Sequence, residues 1–180
     1  MSDSKEPEKP RLKIRPATIQ DAAAIWELVR EIGVLDLNSA YLYLLLCRDF
    51  ADTCLVAEGS HGLAGFVTAY HPPDRTDVLF IWQVGISQDA RRQGLAGRLL
   101  QQLIAGRPTA TVRYIEATVS PSNLASRRLF DSLAAQLGAP LTESESDGFA
   151  KQHFPAGDHE PEPLIRIGPL PIIDPDSESD

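Results

Sequence analysis

The stretch Leu79-Phe-Ile-Trp-Gln-Val-Gly-Ile-Ser-Gln-Asp-Ala-Arg-Arg-Gln-Gly-Leu-Ala-Gly-Arg-Leu-Leu-Gln-Gln-Leu-Ile-Ala105 decides how the rest of the chain is read. Leu79 to Ser87 is rich in aromatic and β-branched residues and is too short and Gly-interrupted for a buried helix, so it predicts a strand. A polar, basic turn follows. From Leu95 the apolar residues recur at helical spacing, Leu95, Leu99 and Leu103 on one stripe with Leu100 and Ile104 beside it, so a helix starts at or near Gly94. A strand that passes through a basic turn into a helix makes an anion cradle. The first helical turn has unpaired N–H groups at the positive end of the macrodipole, and a phosphate fits there. Gly94 and Gly97 let the main chain come close to the anion, while Arg91, Arg92 and Arg98 add charge and fork-shaped donors.

Working outward, Leu12 to Arg15 alternates as a first strand, and Thr18-x-x-Asp21 is a capping-box pattern for a helix over about Ile19 to Ile32, stopped by Gly33. Asn38 or Ser39 can cap a second helix running to Cys47. That helix is apolar nearly all round, which predicts that most of it is buried and that Tyr41 and Tyr43 need hydroxyl partners or a cavity. Thr53 to Glu58 and Leu63 to Tyr70 form a hairpin across Gly59 to Gly62. After the central strand and helix, a fifth strand is expected over about Val112 to Val119 and a helix over Leu124 to Leu137. Phe149 to Phe154 and Leu164 to Ile167 are short apolar pieces that can finish the sheet. The order β, α, α, β, β, β, α, β, α, β, β fits a mixed α/β sheet with helices packed on it.

With 180 residues, 43% hydrophobic and 23% charged, the chain has the composition of one globular domain with a proper core. That domain is expected over residues 11–168, between a flexible leader (1–10) and a disordered acidic tail (169–180). There is no apolar leader and no run of 18 apolar residues, which points to the cytoplasm and away from membranes. A net charge of −8 disfavours nucleic acid and suits a cationic substrate, a salt-adapted surface or plain solubility. Cys47 and Cys54 lack metal-type spacing and read as reduced, inert thiols, and four scattered histidines make no metal site.

Two motifs carry a resemblance. Arg91-x-x-Gly94-x-Ala96 resembles the (Arg/Gln)-x-x-Gly-x-(Gly/Ala) motif with which the GCN5-related N-acetyltransferases (GNAT) hold the pyrophosphate of acetyl-CoA. Asn123-x-x-Ser126-x-x-x-Phe130 resembles that family's Asn-x-x-(Ala/Ser)-x-x-x-Tyr segment, and the element order over about residues 12 to 167 is similar too. The resemblance implies a mostly antiparallel sheet whose fourth and fifth strands splay apart, flanked by helices. It also implies acetyl-CoA as co-substrate and, in this family, a homodimer. Longer strings outside the cofactor motif, among them Leu35 to Ser39, Tyr41 to Phe50, Phe80 to Val84 and His153 to Pro155, resemble members that acetylate the γ-amino group of L-2,4-diaminobutyrate in ectoine biosynthesis. Alternatives are another small amine, such as a polyamine, a longer diamino acid or an aminoglycoside, and a non-catalytic acyl-CoA-binding module. The chain departs from the pattern at Phe130, where many members carry a tyrosine that protonates the leaving thiolate.

On this resemblance, Arg91, Arg92, Gln93, Gly94, Leu95, Ala96, Gly97 and Arg98 cradle the pyrophosphate, and Asn123, Ser126 and Phe130 lie along the pantetheine. Backbone amides near Val84, Gly85 and Ile86 polarise the thioester carbonyl. Gly85 fits a bulge, a close backbone approach or a plain core position. Attack requires a neutral amine, so a base is needed. Glu116 is the first candidate, although strand alternation leaves open whether it faces the cleft or solvent; Glu160, His153 and His159 stand in reserve. Asp36, Tyr41, Tyr43 and Trp82 are candidate substrate ligands, with Asn38, Thr118, Glu160 and His153 behind them.

Overall fold

The computed structural model describes residues 12–60, 62–106, 112–155, 157 and 159–171, so the expected leader and most of the expected tail lie outside the described residues. Seven strands form one sheet in the order β1-β2-β3-β4-β5-β7-β6. In chain order the elements are β1 (Lys13–Pro16), α1 (Ala22–Ile32), α2 (Ala40–Asp49), β2 (Cys54–Gly59), β3 (Gly62–Tyr70), β4 (Val78–Ile86), α3 (Leu95–Ala105), β5 (Tyr114–Thr118), α4 (Leu124–Leu137), β6 (Leu141–Phe149) and β7 (Glu162–Ile167). This is the expected order. Only β4 and β5 run parallel; every other neighbouring pair is antiparallel.

Two apolar layers hold the sheet. On one face Leu95, Leu99, Leu100 and Leu103 of α3 and Phe130 and Leu133 of α4 pack on Ala57, Val67, Leu79, Ile115 and Ile165. On the other, Ile25, Leu28 and Val29 of α1 and Tyr43 and Leu46 of α2 pack on Val56 and Phe66. Each fully buried leucine contributes roughly 1.5–3 kcal/mol. The Thr18 pattern works as read: its backbone N–H and hydroxyl both donate to Asp21, at 2.8 and 2.9 Å. One turn of 3-10 helix (Ile19–Asp21) precedes α1, which Gly33 ends with φ 69°. Arg15 clamps the same carboxylate and lowers Asp21 to about 2.

Two irregularities create the site. First, β3 pairs Thr68 with Gln83 but Ala69 with Ile81, so Trp82 is an extra residue in β4. The bulge flips the alternation. Before it, Leu79 and Ile81 belong to the α3 and α4 layer; after it, Val84 and Ile86 do, while Gln83 and Gly85 turn to the α1 and α2 layer. Second, pairing of β4 with β5 covers only Val78–Tyr114, Leu79–Ile115 and Phe80–Glu116. Beyond Phe80 the two strands diverge.

Some expectations need correction. The strand expected over Phe149 to Phe154 is instead a turn at Lys151–His153, and the real strand is β6, whose sequence Leu-Thr-Glu-Ser-Glu-Ser-Asp-Gly-Phe lacks an apolar face because it is a largely exposed edge. β5 is shorter than expected. Helix α2 is not mostly buried: Tyr43, Leu46 and Cys47 are, but Tyr41 is 65% and Leu44 40% exposed.

Candidate active site

A cavity of about 1140 Å³ opens where β4 and β5 separate. Trp82, Gln83 and Val84 line it from β4, Ala117 and Thr118 from β5, and Asn123, Ser126 and Phe130 from the entry and body of α4. Asp36 of the α1–α2 connection, Tyr70, Arg75, Phe154, His159, Glu160, Glu162 and Arg166 complete the wall.

Asp36 is held by its backbone. Gln83 Nε2 donates to the Asp36 carbonyl at 2.9 Å, and the Tyr43 hydroxyl donates to Gln83 Oε1 at 3.0 Å. Asn38 Nδ2 donates to the same carbonyl at 3.2 Å, and Trp26 Nε1 donates to the Asn38 carbonyl at 3.1 Å. Tyr43 and Asn38, expected as substrate ligands, therefore stand behind the wall and orient Asp36. Tyr41 is exposed and lies outside the cavity lining. Trp82 lines the cavity at 41% exposure, edge-on to Tyr70 at 6.5 Å.

Opposite Asp36 stand His159 and Glu162, and one ligating atom from each of the three groups lies within 4.8 Å of the others. Thr118 Oγ1 donates to Glu162 Oε2 at 2.7 Å and fixes its position. The His159 ring stacks on Phe154 with centroids 3.6 Å apart. Its Nδ1 is 2.7 Å from the Glu160 carbonyl. A carbonyl can only accept, so Nδ1 carries a proton, and Nε2 faces Glu162 Oε1 at 3.9 Å. Glu160 itself accepts from the Ser122 backbone N–H at 3.2 Å. His153 lies outside the cavity lining; it is exposed, and its Nδ1 accepts from the Ala150 N–H at 3.1 Å.

Glu116 faces neither the cavity nor solvent. It is 0% exposed, and its carboxylate takes Arg75 Nη1 at 2.7 and 2.8 Å and Arg166 Nε and Nη2 at 2.7 and 2.6 Å. Glu116 is thus engaged by two guanidinium groups and reaches neither the cavity nor solvent, so the expectation of a free base at Glu116 is corrected.

At the other end of β4, the turn places Arg92 (φ 60°) and Gly94 (φ 70°) in the left-handed region and leads into α3, whose first-turn N–H groups have no partner within the helix. A Cβ built at Gly94 or Gly97 meets no atom within 4 Å, so the space above both is open. Leu95, 1% exposed, anchors the helix start, and Gln93 Nε2 ties back to the Asp89 carbonyl at 2.9 Å. Arg91, Arg92 and Arg98 are exposed, and Ala96 is half-buried. Asn123 caps α4, accepting from the Ser126 N–H at 3.1 Å, while both also line the cavity. Gly85 is a packing glycine: a Cβ there would meet the Phe66 ring at 2.3 Å, and the bulge lies at Trp82 instead.

Sequence reasoning missed Arg75, Gln83, Glu162 and Arg166. Arg166 carried a signal, a lone charge within Leu164-Ile165-Arg166-Ile167, as did Glu162 in a string holding His159 and Glu160. Arg75, in a polar loop, carried none.

The sequence model of the Acetyltransferase (GNAT) family matches residues 20–134. An L-2,4-diaminobutyric acid acetyltransferase of Halalkalibacterium halodurans is 46% identical over 159 residues, 88% of this chain and 82% of that protein. One from Bordetella parapertussis is 47% identical over 161 residues, 89% and 86% of the two chains. The diaminobutyrate acetyltransferase of Paenibacillus lautus, solved in complex with its substrate L-2,4-diaminobutyric acid and coenzyme A, is similar with a TM-score of 0.85 and 42% identity, covering 89% of this chain and 96% of that one.

Proposed function

The chain belongs to the Acetyltransferase (GNAT) family, and we propose from that premise that it transfers the acetyl group of acetyl-CoA to the γ-amino group of L-2,4-diaminobutyrate. The product is N4-acetyl-L-2,4-diaminobutyrate, an intermediate of ectoine biosynthesis. The observation that carries this is the near full-length likeness, at 42% identity, to an enzyme solved with that substrate and coenzyme A.

Acetyl-CoA supplies a thioester already activated towards an amine. The residues of this chain do the rest. The left-handed turn at Arg92 and Gly94, the start of α3 and the open space over Gly94 and Gly97 suit the pyrophosphate, with Arg91, Arg92 and Arg98 as cations around it. Between Ile81 and Ile86, the N–H groups on the β5 side of β4 have no strand partner and can polarise the thioester carbonyl. Asp36 and Glu162 hold ammonium charge in the cavity, and His159 Nε2 takes the proton that the γ-ammonium must lose, with Glu160 fixing the ring through its carbonyl. Phe130 cannot protonate the leaving sulfur; a thiolate with a pKa near ~8.5 departs without help near neutral pH. No helix among the described residues is long and apolar enough to cross a membrane. We place the enzyme in the cytoplasm as a homodimer, the exposed Tyr41 and Leu44 on α2 supporting a partner surface; light scattering should return twice the chain mass.

The deciding experiment mixes the protein with acetyl-CoA and L-2,4-diaminobutyrate, follows CoA release and locates the acetyl group by NMR. Release with the acetyl group on the γ-nitrogen is expected. Absence of release, or acetylation only of other amines, would overturn the substrate assignment.

A further inference from the structure

Glu116 is the one charged side chain among the described residues with no exposed surface at all. A lone buried carboxylate would cost several kcal/mol, so its two arginines are required. What they do beyond that follows from their other ends. Arg75 and Arg166 are 46% and 41% exposed, and both line the cavity. Contacts to Glu116 use Nη1 of Arg75 and Nε and Nη2 of Arg166. Nε and Nη2 of Arg75 and Nη1 of Arg166 have no hydrogen-bond partner among the described residues, although the Arg166 guanidinium also lies over the Tyr114 ring at 5.3 Å, and two cations against one anion leave positive charge there. Among the described residues, no other arginine or lysine lines the cavity.

The strands set where this charge lies. Glu116 pairs with Arg166, and Thr118, two residues on along the same face, pairs with Leu164 and binds Glu162. Same-face neighbours are roughly 7 Å apart along a strand. The cavity wall is thus positive at Arg75 and Arg166 and negative at Glu162 and Asp36. An L-2,4-diamino acid has the same polarity, a carboxylate at one end and a terminal ammonium four bonds away.

We propose that Arg75 and Arg166, held side by side by the buried carboxylate of Glu116, bind the α-carboxylate of the substrate and so decide which amino group reaches the splay between β4 and β5. This rests on the diaminobutyrate reading. With the carboxylate anchored there, the α-nitrogen is tethered close to the arginines and the γ-nitrogen extends to His159. Glu116 is a positioning residue: it neutralises one of the two cations so that both guanidinium groups can share one anion.

The test compares L-2,4-diaminobutyrate with 1,3-diaminopropane, which is the same molecule without its carboxylate. Arg75→Gln and Arg166→Gln each leave one arginine on Glu116, and Arg75→Lys keeps the charge but not the fork, which guards against loss of folding. KM for diaminobutyrate should rise roughly 10- to 100-fold in the Gln variants. KM for acetyl-CoA and the inhibition constant of 1,3-diaminopropane should stay unchanged, and Arg75→Lys should recover part of the loss. Unchanged KM for diaminobutyrate, or equal losses for amino acid and diamine, would overturn the proposal. Failure of the substrate assignment itself shows separately, as a wild-type protein that releases no CoA with diaminobutyrate.

Discussion

The two halves of the site are built in opposite ways. The proposed cofactor cradle is one uninterrupted piece of chain, residues 86 to 98, whose shape comes from two left-handed residues and a helix start. The proposed substrate pocket takes Asp36 from before α2, Arg75 from the β3–β4 loop, Thr118 from β5 and His159, Glu162 and Arg166 from the last segment. Local backbone geometry makes the first, and long-range registry makes the second. The first half should therefore tolerate side-chain loss better than backbone change, and the second should fail at single side chains.

The largest effect expected is at His159. Its stacking on Phe154 and its bond to the Glu160 carbonyl leave Nε2 as the ring nitrogen that faces the acidic pair. His159→Gln should lower kcat by about 10²- to 10⁴-fold, the usual worth of a general base, while calorimetry finds acetyl-CoA binding intact. If kcat persists at high pH and falls only as the substrate ammonium is protonated, water alone removes the proton and His159 is a wall of the pocket.

Next in size is Glu116→Gln, which separates two roles by kinetics. A base at this position would take turnover with it. A brace for the arginine pair would instead raise KM for diaminobutyrate by about tenfold, because the arginines lose their shared partner but keep their charges. A collapse of kcat at unchanged KM would restore Glu116 as the base and remove the brace.

What the sequence made legible follows the same division. Strand, basic turn and helix over residues 79 to 105 were readable because periodicity, glycines and arginines are contiguous there. Capping at Thr18 was readable for the same reason. The cluster of Asp36, His159 and Glu162 was not, since only the sheet order β4-β5-β7 brings its members together. Alternation could not assign Trp82 and Gln83 to faces, because the bulge that re-aims them leaves no composition signal. Strand β6 escaped because an exposed edge carries no apolar period.

The smallest effect is the most informative about the cradle. Gly97 lies in the first turn of α3, and a Cβ there has free space, so nothing in the chain itself demands glycine. Helix propensity alone makes Gly97→Ala stabilising by about 0.5–1 kcal/mol, visible as a rise in Tm. A backbone that must approach a pyrophosphate would be hindered by the same methyl group, weakening acetyl-CoA binding a few-fold. The two changes have opposite signs, which a general loss of folding cannot produce. A higher Tm with an unchanged dissociation constant would mean that the anion does not reach Gly97 and that contact ends at Gly94. Weaker binding together with a higher Tm would mean that the chain retains a costly glycine in its helix for the sake of its co-substrate.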